Sequence, residues 1–115
     1  MIAIEEDRDL LEMHVYGKLT LDDYREFEKA VGRELRSAPK IKLLLDLADM
    51  TGYTLDVAWE EIRFTRAHAH DFQRIAVVSA TQWAPWLSWV SAAFTDAEVQ
   101  IFETSDEARA WLDTD

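Results

Sequence analysis

Two periodicities divide the chain. Ile2 and Ile4 alternate with Ala3 and Glu5, and beyond the polar Asp7-Arg8-Asp9 the residues Leu11, Met13 and Val15 alternate with Glu12, His14 and Tyr16. A period of two on either side of a polar turn predicts a hairpin of two strands, the second closed by Gly17. From Thr20 the period changes. Leu21, Tyr24, Phe27, Val31, Leu35 and Ala38 recur at steps of three and four, which predicts an amphipathic helix. Thr20 suits its N-cap, Asp22 and Asp23 suit the positive end of its dipole, and Pro39 ends it.

Residues 41–47 (IKLLLDL) form a nearly continuous apolar run, as expected of a central strand covered on both faces. Residues 48–53 are predicted to be a loop around Thr51-Gly52, and Thr54 with Asp56 begins a second helix. Arg74 leads into IAVVSA (75–80), a second buried strand. Pro85 fits the first turn of a third helix, residues 98–103 a further strand, and Ser105 with Asp106 and Glu107 the start of a final helix carrying Ala108, Trp111 and Leu112. The order β-β-α-β-α-β-α-β-α predicts a single α/β domain over residues 1–115. Its five-stranded sheet is mostly parallel, with an antiparallel N-terminal edge hairpin and four helices.

The segment 75–95 (IAVVSATQWAPWLSWVSAAFT) contains no Asp, Glu, Lys or Arg, although such residues make up 30% of the chain. A membrane-spanning helix needs about 20 apolar residues in one helical run. Ser79-Ala80-Thr81-Gln82 and Pro85 interrupt this stretch after a strand-length piece, so no membrane span is expected. In the third helix even the face opposite Trp86, Trp89 and Phe94 consists of Ala84, Ser88, Ser91, Ala92 and Thr95, without a charge. A helix side left free in water normally carries Lys or Glu. The second helix also has two apolar sides: Leu55, Ala58, Trp59, Ile62 and Ala69 on one, and Val57, Glu61, Phe64 and His68 on the other. Either a neighbouring helix covers the side of Phe64, or that side is a contact site. Val57, Phe64, His68, Trp83, Trp86 and Trp89 are therefore the candidate interaction or ligand surface.

Charge and chemistry narrow the function. With 23 acids against 12 basic residues the chain carries −11, which repels nucleic acid and anionic lipid. The absence of cysteine removes disulfides, thiolate nucleophiles and cysteine-based zinc sites. The beginning MIAIEEDRD lacks the basic and apolar regions of a signal peptide, so a cytoplasmic protein is expected. His68-Ala69-His70-Asp71 has metal-ligand chemistry, but positions i and i+2 of a helix point about 200° apart. Neither a metal site nor a cofactor is expected. Asp46 and Asp49, at the carboxyl end of the central strand, could serve as acid and base; without a histidine, cysteine or lysine at a recognisable spacing, bonding to turn amides is the stronger expectation.

The passages RIAVVSATQW and FTDAEVQIFETSDEARAWL, with Gly17-Lys18-Leu19-Thr20 before the first helix and Leu44-Leu45-Asp46-Leu47 in the central strand, resemble the SpoIIAA-like family of small bacterial proteins. Its fold is similar to that of STAS domains and, in shape, to CRAL-TRIO lipid carriers. The resemblance implies a non-enzymatic module that docks onto proteins. The best known STAS relatives are switched by phosphorylation of a serine in an Asp-Ser-Ser-Gly loop at the start of the second helix. Here the equivalent loop is Asp46, Asp49, Thr51, Gly52 and Tyr53, with Thr51-Gly52 a faint echo of that motif. A phosphate on Thr51 would meet repulsion from Asp46 and Asp49, and a threonine in an ordinary turn is the stronger reading.

The function expected is thus a protein-interaction or regulatory module that self-associates through the second and third helices or binds another protein. The alternative is a carrier or sensor of a hydrophobic small molecule, with Trp83, Trp86, Trp89 and Phe64 lining a pocket. An enzyme using Asp46 and Asp49 comes third.

Overall fold

The apolar run from Ile41 is the middle of the molecule. In the computed structural model, which describes residues 1–7, 10–38, 40–67, 70–78 and 97–113, it forms β3 (Ile41–Tyr53), a strand of 13 residues. β1 (Ile2–Asp7) and β2 (Leu10–Leu19) precede it, and β4 (Phe72–Val78) and β5 (Glu98–Phe102) follow. The five strands hydrogen-bond in chain order. β1 and β2 are antiparallel, and every other neighbouring pair is parallel. The expected α/β architecture with one antiparallel edge is therefore present.

The described helices are α1 (Leu21–Leu35), α2 (Leu55–Ala67) and α3 (Ser105–Leu112). The helix expected from Pro85, with Trp83, Trp86 and Trp89, lies outside the described residues. Thr20 caps α1 as its sequence suggests: its hydroxyl accepts from the Asp23 amide at 3.3 Å, and the Asp23 carboxylate accepts from the Thr20 amide at 3.4 Å. Thr104 caps α3 in the same way, accepting from the Glu107 amide at 3.3 Å.

Strand alternation separates two apolar layers. Leu11, Met13, Val15, Leu43, Leu47, Ile75 and Val77 share one cluster with Tyr24, Phe27, Val31, Val57 and Phe64 from α1 and α2. Both connecting helices cover this side, as right-handed crossovers between sequential parallel strands require. On the other side Leu44, Ala76 and Val78 pack with Ala108 and Leu112 of α3. α3 is also held at its carboxyl end, where free carbonyls attract cations. Lys42 Nζ donates to the Leu112 carbonyl at 2.7 Å and Arg74 Nη1 to the Trp111 carbonyl at 2.9 Å. Lys42 and Arg74 are register partners on β3 and β4, so the two donors arrive side by side.

Two local expectations are corrected. Residues 48–53 are not a loop: β3 continues to Tyr53, and β2 runs past Gly17 to Leu19 beside it, with Tyr16 opposite Asp49, Gly17 opposite Met50 and Leu19 opposite Tyr53. The ladder gives the amides of this polar segment partners that a loop would have to find in water. Gly17 meets the demand of the irregular register with φ +73°, a conformation that L side chains rarely adopt. Met50 turns inward and is buried, while Ala48, Asp49 and Thr51 are exposed. The other correction concerns β4, which begins at the buried Phe72, before the expected Ile75.

Leu44 is fully buried on the α3 side. Leu44→Ala is expected to lower the unfolding free energy by about 2–5 kcal/mol in urea titrations, as core leucine truncations do.

Candidate functional site

The start of α2 is set by the end of the sheet. The Thr54 amide donates to the Leu19 carbonyl at 3.1 Å, which ties the strand end to β2, and the Val57 amide donates to the Thr54 carbonyl at 3.1 Å. The Thr54 hydroxyl bonds the Asp56 carboxylate, so the first helical turn opens on a local polar pair. From there Val57, Glu61 and Phe64 follow at steps of four and three and face inward, each 6% exposed or less. The Phe64 ring meets Tyr24 at 5.8 Å and Phe27 at 5.3 Å from α1, and Phe72 at 6.2 Å from β4. Beside these rings the Tyr24 hydroxyl donates to the Glu61 carboxylate. Burial, together with the Glu61 charge, pushes the Tyr24 hydroxyl well above its ordinary pKa, so it stays a donor.

This seating answers the question left open for the second helix. The side bearing Val57 and Phe64 is covered, and neither is part of an exposed surface in this structure. On the other side Leu55 and Trp59 are turned outward, 78% and 66% exposed. Arg63 and Arg66 continue the outward arc and Asp56 borders it. Periodicity assigns the two sides correctly but cannot rank them. The buried side won because it supplies an aromatic ring to a pocket already walled by Tyr24, Phe27 and Phe72. The remaining surface candidates, His68, Trp83, Trp86 and Trp89, lie outside the described residues.

The candidates at the end of β3 do not converge on a site. Asp46 Oδ2 lies 3.1 Å from His14 Nδ1, and Asp46 Oδ1 accepts from the Ala48 amide at 3.1 Å. Asp49 and Thr51 are exposed along the strand, Gly52 is half-buried, and Tyr53 packs against the core. Asp46 thus belongs to a polar row on the α3 side of the sheet. His14 Nε2 lies 4.0 Å from Glu12 Oε2, and Glu12 Oε1 accepts from Arg109 Nε at 2.6 Å. The hydrogen bond from Arg109 to Glu12 raises the guanidinium pKa further. Glu12 also lines a cavity of about 290 Å³ with Glu5, Glu6, Leu10, Arg109 and Asp113. Sequence reasoning placed Glu12 and His14 on the polar side of a strand; the available signal was that Asp46 has the same parity on β3. Among the described residues no group of three or more His, Cys, Asp or Glu is placed to hold a metal ion. None of the described helices is long and apolar enough to cross a membrane.

The model of the SpoIIAA-like family matches residues 10–113. The chain belongs to the SpoIIAA-like family. A Shewanella loihica protein of the DUF3478 family with a SpoIIAA-like fold is 29% identical, with 97% of this chain and 92% of that one aligned at a TM-score of 0.76. The unphosphorylated anti-sigma factor antagonist SpoIIAA is 9% identical over 97% of both chains, with a TM-score of 0.66. An anti-sigma factor antagonist from Mycobacterium paratuberculosis is 15% identical over 99% of this chain and 94% of that one, with a TM-score of 0.59. At such identities the two antagonists share the fold. No curated protein matches the chain.

The seating of α2 is directly testable by mutation. Phe64→Ala is expected to cost about 3–5 kcal/mol of unfolding free energy, and Leu55→Ala to stay within about 0.5 kcal/mol of wild type. Urea unfolding of the two variants side by side checks this, and a reversed ranking would mean that α2 is rotated.

Proposed function

We propose that this SpoIIAA-like domain is a non-enzymatic protein-interaction or regulatory module whose contact surface is the outward face of α2. The observation that carries the proposal is the pair Leu55 and Trp59, one helical turn apart and 78% and 66% exposed. An isolated exposed leucine is ordinary, but a tryptophan joined to it on one helix face is the kind of anchor that interfaces use. The anti-sigma factor antagonists of the same fold support a regulatory reading through their names, which describe action on another protein. The Asp46 carboxylate is held by His14 and the Ala48 amide, which leaves little support for catalysis by Asp46 and Asp49.

The occupant proposed for the α2 face is a second copy of the chain. Asp56 lies three residues before Trp59 and Arg63 four residues after it, and all three are exposed. Two α2 helices packed antiparallel about Trp59 would set each Asp56 against the partner's arginine, a self-complementary two-fold arrangement. Covering Leu55 and Trp59 on both copies removes roughly 500 Å² of apolar surface, about 12 kcal/mol at ~25 cal/mol/Å². Association costs about 4–15 kcal/mol. The balance, with −11 on each copy opposing approach, is a weak and concentration-dependent pair. The cavity on the α3 side is lined mainly by carboxylates and gives no support to an apolar ligand.

Native mass spectrometry and light scattering across a concentration series test this. Wild type is expected to move from 13.3 kDa toward twice that mass, and Trp59→Glu to remain at the lower mass with its unfolding midpoint unchanged. A wild-type protein that stays monomeric at hundreds of micromolar rules out the second copy as occupant.

A further inference from the structure

The attachment of α3 differs in kind from that of the other helices. Of its eight residues Ala108 and Leu112 are buried, whereas α1 buries Tyr24, Phe27, Ala30 and Val31. Among the described residues no backbone-to-backbone hydrogen bond joins α3 to a strand. Charge supplies much of the hold. Lys42 and Arg74 donate to the Leu112 and Trp111 carbonyls, the Arg74 guanidinium lies 5.3 Å from the centre of the Trp111 ring, and Arg109 donates to Glu12 of β2 at 2.6 Å. One group opposes these contacts. Asp113 caps the carboxyl end of α3, where the helix dipole is already negative, and lines the same cavity as Glu5, Glu6 and Glu12.

We propose that α3 is a strap fastened by charge, which opens as a unit while the five strands, α1 and α2 stay folded. The strap lies on the opposite side of the sheet from α2 and does not depend on the contact proposed for that helix. Lys42, Arg74 and Arg109 hold it shut, and the Asp113 carboxylate presses it open.

The build of the domain lets this happen without wider unfolding. The cluster under α1 and α2 shares no member with the one under α3, so losing the second leaves the first intact. The strand ladders likewise keep their hydrogen bonds. Eight residues are too few to remain helical in water once undocked, so α3 unfolds as it opens. Opening uncovers the apolar strip of Leu44, Ala76 and Val78, and closing covers it again.

Hydrogen exchange of the dilute protein, followed by NMR at neutral pH with urea kept well below the unfolding midpoint, is the test. In wild type the amides of 108–113 are expected to exchange sooner than the core amides of β3 and β4 and with a shallower dependence on urea, because opening α3 exposes little surface. Lys42→Met keeps the aliphatic stem and removes the charge; it is expected to speed exchange in α3 by about tenfold and to leave the β3 and β4 core amides unchanged. Asp113→Asn is expected to slow exchange in α3 by about two- to five-fold. Amides of α3 that exchange in step with β3 and β4 in wild type overturn the strap. Variants that shift α3 and the sheet alike overturn it too. The wild-type comparison and Asp113→Asn decide the matter even where Lys42→Met folds poorly.

Discussion

The orientation of α2 depends on one aromatic insertion. Phe64 enters the space between α1 and the sheet and touches Tyr24, Phe27 and Phe72, all of them buried. A ring of this size removes about 150–250 Å² from water, a larger gain than Leu55 offers. Once Phe64 is inside, helical geometry leaves little choice for the rest: Val57 and Glu61 follow it inward, and Leu55 and Trp59 must face out. The exposed apolar pair is thus a consequence of filling the core well. It is also the surface on which the proposed function rests.

The two sides of the sheet are built by different means. The α1 and α2 side is held by apolar and aromatic burial, with Tyr24–Glu61 as an enclosed polar contact. The α3 side has a smaller cluster, and there charges assist the packing. Lys42 and Arg74 hold the end of α3, Arg109 reaches back to Glu12, and Asp46 positions His14. An eight-residue helix is too short to be stable alone. These contacts account for its firm place on the sheet.

Much of the architecture was legible because periodicity and burial agree. Leu21 through Leu35 read as a helix with Thr20 as cap, and IKLLLDL read as a central strand because both of its faces are covered. The segment 48–53 misread because Asp49, Thr51 and Gly52 are turn formers by local preference, whereas the neighbouring β2 supplied a ladder that no local signal reveals. Which side of α2 is covered stayed open for a related reason: rank between two apolar sides is decided by the shape of the pocket they meet. The polar row of Asp46, His14 and Glu12 was hidden because strand parity shows which residues share a face but not which strands lie side by side.

The central claim is that the outward face of α2 is where this protein meets its partner, a second copy of itself. Amide and tryptophan indole NMR spectra recorded while the protein is concentrated test it most directly. Shifts are predicted to concentrate on Leu55, Asp56, Trp59 and Arg63, with the signals of the α3 side unmoved. Shifts confined to another surface, or spectra that do not change with concentration, would contradict it.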